Sequence, residues 1–404
     1  MTSPSSPPRR RPLEGIVVAD FSQFLSGPMA AMKLADMGAR VIKIERPGAG
    51  DLGRSLYLSD VDIEGTNTLF HAINRNKESY AANLKAPEDL ARVKALVAQA
   101  DVLIQNFRPG VMEKYGLDYE SVKAINPRLV YASISGYGAT GEWAGLPGQD
   151  LLAQARSGLM WLTGDGDGPP MPMGLAVADQ FAGNITVQGI LAALLERHST
   201  GVGAHVETSL LEALLDFQFE VLTTHFNDPQ RRLPERSEVS NAHAYLAAPY
   251  GVYRTADGYL AIAMMPVPRL AEVLGCDAIA NETDPRQWFT RRDSIKARLA
   301  AFLATETTAH WLSLLIPADI WATEVLDWTQ LVASQGFKDL DFTQTLKLRS
   351  DEAIETTRLP LRFDGALLRS ERPAPSVGEH NGLIDSDFGL AAAAAPERVK
   401  EDAS

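Results

Sequence analysis

The alternation of a short apolar run, a helical run and a second apolar run within the first fifty residues limits the fold of this chain most. GIVVADFS (15–22) reads as a buried strand, MAAMKLADMG (29–38) as a helix closed by Gly38, and RVIKIERP (40–47) as a second strand. Strand, helix and strand within about thirty residues form the βαβ unit of a parallel sheet, which needs helices on both faces. The alternation continues through SYAANL (79–84), a helix over 87–99, DVLIQNF (101–107), a helix near 119–125 and RLVYASISGYG (128–138). The fold class is therefore α/β, with a Rossmann-like parallel sheet in a large domain.

Helical spacing resumes over 180–198 and 207–222, joined by the link STGVGAHVE. The charged, proline-containing stretch 226–241 predicts a linker, and APYGVYRTADGYLAIAM (248–264) predicts a β-hairpin turning at 256–258. Helices then run to about 316 and complete a smaller α+β domain, while TRLPLRFDG (357–365) predicts a late strand back in the first domain. At 404 residues and 45% hydrophobic, the chain has the length and apolar content for two cores. The expected organisation is a disordered arm over 1–12, the large domain over 13–225, linker and small domain over 226–334, a return to the large domain over 335–390, and a flexible tail over 391–404.

A net charge of -13 argues against a nucleic-acid partner, although the arm MTSPSSPPRRRP carries three consecutive arginines. No apolar run follows that arm before the first strand, so neither a secretory leader nor a membrane span is expected. The single cysteine, Cys276, rules out an internal disulfide and suits a reducing compartment, so a cytoplasmic protein is expected. Seven histidines without an H-E-x-x-H spacing, and one cysteine, give no metal site. There is no G-x-S-x-G elbow. The first strand–helix connection, FSQFLSGPMA (21–30), holds one glycine where a dinucleotide fingerprint needs three, so Gly27-Pro28 reads as a tight turn and helix start. Free N–H groups at such a start can also hold an anion.

Two features carry chemistry. Basic residues recur where strands end: Lys43, Arg46 and Arg54, then Arg75 and Lys77, then Arg108. Ligands of parallel sheets bind at that edge, so a phosphate-rich ligand is expected there. The second feature is GLAVADQFAG (174–183), which places one carboxylate, Asp179, in an otherwise uncharged run. Taken alone, Asp179 reads as the N-cap of the helix that follows, as the partner of a buried arginine, or as a reactive acid.

Several motifs, in order, resemble the class III CoA-transferase family. They are DFSQFLSGPMAAMKLADMGARVIKIERPGAGD, NRNKESY, DVLIQNFRPGVMEKYGL, INPRLVYASISGYG, QDLLAQARSGLM, GLAVADQFAG and PSVGEH, spread over about 13–223 and returning near 316–381. The family includes formyl-CoA transferase, carnitine CoA-transferase and, as a divergent branch, the α-methylacyl-CoA racemases. The resemblance implies an interlocked ring-like homodimer and a reaction between an acyl-CoA and a carboxylic acid, with no tightly bound cofactor. It assigns Asp179 as the nucleophile, passing through an aspartyl anhydride and an aspartyl-CoA thioester. By matching position, Arg46 sits on the nucleotide part of CoA, with Ala82, Lys85, Asn106, Phe107 and Lys114 along the groove. Gln23, Phe24 and Leu25 border the reacting thioester.

The chain departs from formyl-CoA transferase at Leu25, where that enzyme has glutamine, and lacks a glycine-rich lid over 226–264. Both departures point away from oxalate and formyl-CoA, toward a larger or less polar acyl group. The alternative of an acyl-CoA racemase is weakened because GQD (148–150) places Gln149 where that branch has histidine, and glutamine shuttles no proton. Asp150 reads as a cap of the helix LLAQARSG. A CoA-binding protein without turnover is the other alternative, disfavoured because a binder has no need of a buried acid. Tyr245, Tyr250 and Tyr253 read as hairpin packing, and His243 as a surface or core residue.

Overall fold

The computed structural model describes residues 11–56, 61–350 and 352–391. Residues 1–10 of the expected arm and 392–404 of the expected tail lie outside the described residues. The chain divides into two compact units. Among the described residues, one holds those up to Ala153, Val177–Ala213 and those from Phe342 onward; the other holds Gln154–Ala176 and Leu214–Asp341. These divisions differ from the expected ones at 225/226 and 334/335, and the segment 154–176 lies in the second unit.

The first unit is built on six strands: β1 (Val17–Asp20), β2 (Arg40–Glu45), β3 (Lys77–Ala81), β4 (Val102–Gln105), β5 (Val130–Ser135) and β6 (His205–Ser209). They lie in the order β3-β2-β1-β4-β5-β6, and every pairing is parallel. Alternate residues serve opposite faces. Ala19, Ile42, Leu103 and Tyr131 pack with Val93, Leu96 and Val122 from helices α3 (Pro87–Val97) and α4 (Tyr119–Ile125). Val18, Val41, Ile104 and Val130 pack on the other face, with Ala30, Leu34, Val187 and Ile190 from helices α1 (Ser26–Asp36) and α6 (Val177–Thr200).

Two sequence expectations are corrected here. The link STGVGAHVE contains most of β6, an edge strand whose polar residues hide it from an apolar-run criterion. The helix expected over 207–222 accordingly begins at Leu210, where the Ser209 hydroxyl accepts the Glu212 N–H at 3.1 Å and ends the strand with a cap. The late segment near 357–365 lies in the first unit, as expected, but outside its central sheet. Thr343–Lys347 pairs with Ala353–Thr357, and Arg362–Phe363 with Ala366–Leu367, each as a separate antiparallel ribbon.

In the second unit the expected hairpin forms from Gly251–Arg254 and Tyr259–Ile262, and Ala322–Glu324 adds a third strand. Tyr253, Leu260, Leu299 and Trp311 share its core. The Tyr253 hydroxyl donates to the Pro249 carbonyl at 2.6 Å, and His243 pairs with Glu220 at 2.8 Å. Among the described residues no helix is long and apolar enough to cross a membrane, and no cluster of side chains is arranged to hold a metal ion.

Candidate active site

The strand order reverses direction between β1 and β4, so the loops after these strands diverge and leave a crevice at the carboxyl edge. Asn106, just past β4, pins the loop after β1 with two bonds: its Oδ1 accepts the Gln23 N–H at 2.8 Å and its Nδ2 donates to the Gln23 carbonyl at 2.7 Å. Asp51 Oδ1 accepts the Phe24 N–H at 3.2 Å, holding Phe24 at a left-handed φ of 64°. A side chain at Gly27 would come within 2.2 Å of Ser22 Cβ, so the turn closes only with glycine there.

Beneath this loop lies a buried set of charges. Lys77 Nζ meets Asp20 at 2.9 Å, and Lys43 Nζ meets Asp51 at 2.7 Å while donating to the Ser22 carbonyl at 2.8 Å. An unpaired ion at such a depth costs several kcal/mol, so these four carry one another. Burial acts against the Asp20 carboxylate, but Lys77 and Lys43 outweigh it and hold the group below its ordinary range. Burial pulls Lys77 down to about 8 despite Asp20 beside it.

This corrects the reading of the basic clusters. Lys43 and Lys77 face inward, Arg54 grips Glu45 at 2.8 Å, and Arg75 bonds Asp36 at 2.9 Å. Four of the expected phosphate-facing cations are thereby spent on internal carboxylates. Arg46 and Arg108 remain exposed, as does Lys85, and among the described residues none of the three makes an ion pair or hydrogen bond through its side chain.

Asp179 occupies the third position of α6, half-buried. It does not cap its own helix. Asp150, the first residue of helix α5 (Asp150–Ser157), accepts the Ala178 N–H at 2.7 Å and the Asp179 N–H at 3.4 Å through Oδ1, and so caps α6 from outside. The Asp179 carboxylate instead faces the hydroxyl and the backbone N–H of Ser26, the first residue of α1, and both groups pull its pKa down. Burial and the neighbouring Asp150 charge push Asp179 up to about 6, against the pull of Ser26. The two helices meet this closely because position 183 is glycine: a Cβ there would lie 2.7 Å from the Ser26 carbonyl oxygen.

A cavity of about 540 Å³ opens along the ends of β1 to β4, lined by Phe21, Gln23, Arg46, Ala82, Lys85, Phe107 and their neighbours. Five of the sequence-nominated residues, Gln23, Arg46, Ala82, Lys85 and Phe107, thus share one wall system. Lys114 is exposed near its rim but outside the lining, although Met112 and Tyr115 beside it are part of it. Leu25 turns away to pack with Met29, Met32 and Ile73, and Phe24 points to solvent. Asn106 lines a smaller cavity next to this one. With Leu25 turned away, a leucine in place of glutamine does not by itself make the cavity apolar.

Sequence reasoning missed Ser26, Asp150 as the cap of α6, and Gly183. The signals were present in SGP (26–28) and GQD (148–150), but the partners lie 153 and 29 positions from Asp179 and no local rule joins them. Gly136 and Gly148 were also not singled out; a side chain at Gly148 would come within 2.4 Å of Gly136 Cα, so the 144–148 loop lies directly on the end of β5.

A model of CoA-transferase family III matches residues 13–381. A succinate–glutarate CoA-transferase of Agrobacterium fabrum is 37% identical, over 94% of this chain and 96% of that protein. An acetyl-CoA:oxalate CoA-transferase of Acetobacter aceti is 35% identical, over 98% of this chain and 99% of its own length. Among solved structures, a CaiB/BaiF family protein from Brucella suis superposes with a TM-score of 0.82 at 33% identity, covering 94% of this chain and all of that one.

Proposed function

The chain belongs to CoA-transferase family III, and from that premise we propose that it moves CoA from an acyl-CoA to a dicarboxylic acid through covalent catalysis on Asp179. The observation that carries this reading is the placement of Asp179. It is half-buried against the N-terminus of α1, carries a raised pKa, and faces the Ser26 hydroxyl and N–H, which favour its charged form. A carboxylate is a weak nucleophile in water; partial desolvation activates it, and dry walls protect a reactive anhydride.

In the proposed cycle, an Asp179 oxygen attacks the thioester carbonyl, the C–S bond breaks, and CoA thiolate leaves a mixed anhydride. Thiolate then attacks the Asp179 Cγ, the anhydride C–O bond breaks, and the donor acid departs. The acceptor carboxylate attacks the resulting aspartyl thioester and expels thiolate again. Thiolate finally attacks the acceptor acyl carbon, releasing the new acyl-CoA and the Asp179 carboxylate. No proton is gained or lost over the cycle, so no general acid or base is required. Ser26 supplies two donors for the negative charge that develops on the Asp179 carboxyl oxygen at each attack on Cγ.

The 540 Å³ cavity is the proposed CoA groove, with Arg46 and Lys85 as unpaired cations for its phosphates. The two relatives named above bear succinate, glutarate and oxalate in their names, and the acceptor class proposed here follows them. The racemase alternative loses support at Gln149.

Intact-protein mass spectrometry after brief incubation with a panel of acyl-CoAs tests the reading. A CoA adduct on the wild-type chain, absent from Asp179→Ala and mapped to the Asp179 peptide, is the expected result. Absence of any adduct, with no exchange of label between free acid and acyl-CoA, would overturn it.

A further inference from the structure

One cation at the carboxyl edge of the sheet has no part in the reading above. Arg108 follows Asn106 and Phe107 at the end of β4, is exposed, and its side chain makes no hydrogen bond or ion pair among the described residues. That sets it apart from most arginines of its unit: Arg40, Arg54, Arg75, Arg197 and Arg372 all hold carboxylates.

Arg108 lines a cavity of about 260 Å³ together with Asn106, Phe107, Ser135, Gly136 and Gly148. No acidic residue lines it. Its volume lies below the roughly 300–1,000 Å³ of pockets for drug-sized ligands, which suits a small acid better than a long acyl chain. Arg108 also borders a larger cavity of about 670 Å³ whose walls include Glu113, Glu120, Glu207 and Glu212, yet none of these pairs with it.

Both walls of the smaller cavity lead to Asp179. On one side Asn106 Nδ2 lies 3.5 Å from Ser26 Oγ, and Ser26 stands close enough to the Asp179 carboxylate to lower its pKa. On the other, Gly148 stands two residues before Asp150, whose Oδ1 accepts the Asp179 N–H. An acid seated in this cavity therefore adjoins the same loop ends that hold the nucleophile. A guanidinium presents a rigid fork that matches a carboxylate in two parallel hydrogen bonds.

We propose that Arg108 binds the distal carboxylate of a dicarboxylic acceptor, the carboxylate that does not react, and so selects dicarboxylic over monocarboxylic acids. This rests on the reading of Asp179 as the nucleophile.

The test compares glutarate with butyrate as acceptors, using one acyl-CoA donor throughout, for wild type, Arg108→Met and Arg108→Lys. Wild type is expected to favour glutarate, and Arg108→Met to lower the glutarate-to-butyrate ratio of kcat/KM about 10- to 100-fold, chiefly through the glutarate KM. Arg108→Lys keeps the charge without the fork and is expected to restore part of the ratio. Adduct formation at Asp179 in both variants reports that the fold and the first half-reaction persist. An unchanged acid ratio overturns the proposal, as does a loss expressed equally in the KM of the acyl-CoA donor, which would place Arg108 in the CoA groove. Wild-type enzyme that forms the Asp179 adduct but transfers CoA to neither acid also overturns the proposal, whereas wild type that forms no adduct overturns the reading of Asp179 itself, an outcome distinct from the others.

Discussion

Asp179 shows how one side chain draws its chemistry from neighbours that the sequence keeps far away. Its carboxyl is pushed from 3.8 up to about 6 by burial first and by Asp150 second. In the proposed mechanism the ionised form is the nucleophile, so kcat/KM for the acyl-CoA donor is expected to fall as pH drops through about 6. The same shift disfavours the charged form in the folded state, so the contribution of Asp179 to stability is present at low pH and lost as pH rises through about 6. Asp179→Asn is therefore expected to be inactive yet more stable than wild type above pH 6, by up to about 3 kcal/mol, with the gain vanishing near pH 4. Asp150→Asn removes the like charge while an amide oxygen still accepts the α6 N–H groups, and should move the acidic limb of the rate profile to lower pH. Rate profiles and urea titrations of the two variants across pH 4–8 check both signs. A limb that stays put in Asp150→Asn would show that burial alone sets the Asp179 pKa.

Between elements, the decisive contact is that of α1 with α6. Gly183 lets α6 approach until a Cβ would lie 2.7 Å from the Ser26 carbonyl, and this closeness delivers Asp179 to the Ser26 donors. Gly183→Ala favours the isolated helix by about 1 kcal/mol but forces the two helices apart. We expect kcat to fall at least tenfold, with the donor KM changing by less than threefold, because in the proposed mechanism the displaced groups act on the reacting atoms and not on the proposed CoA groove. Steady-state kinetics at pH 8, where Asp179 is ionised, separates these effects; a change confined to KM would contradict the contact as described. At this scale the sequence was legible wherever burial is two-sided. The apolar runs of β1, β2, β4 and β5 announce themselves, whereas β6, a half-polar edge strand, did not, because edge strands need no continuous apolar run.

For the whole molecule, the family resemblance implies an interlocked homodimer, and large apolar side chains are exposed on the second unit of the single chain. Trp321 is 70% and Trp328 80% exposed, and Leu233 79%. Light scattering is expected to give twice the chain mass at micromolar concentration, and a monomer there would contradict it. The sequence by itself determined the α/β class, the parallel sheet and the family, since these follow from local periodicity and ordered motifs. It also singled out Asp179 as an acid needing an explanation. Only the tertiary structure decided which charges are free: Lys43, Arg54, Arg75 and Lys77 are spent on Asp51, Glu45, Asp36 and Asp20, whereas Arg46, Lys85 and Arg108 are not. It likewise decided that Asp150, and not Asp179, caps α6. The physical reason is common to both. Whether a charge is paired, capped or desolvated depends on what folding brings within a few ångströms of it, and these partners lie between 8 and 153 positions along the chain.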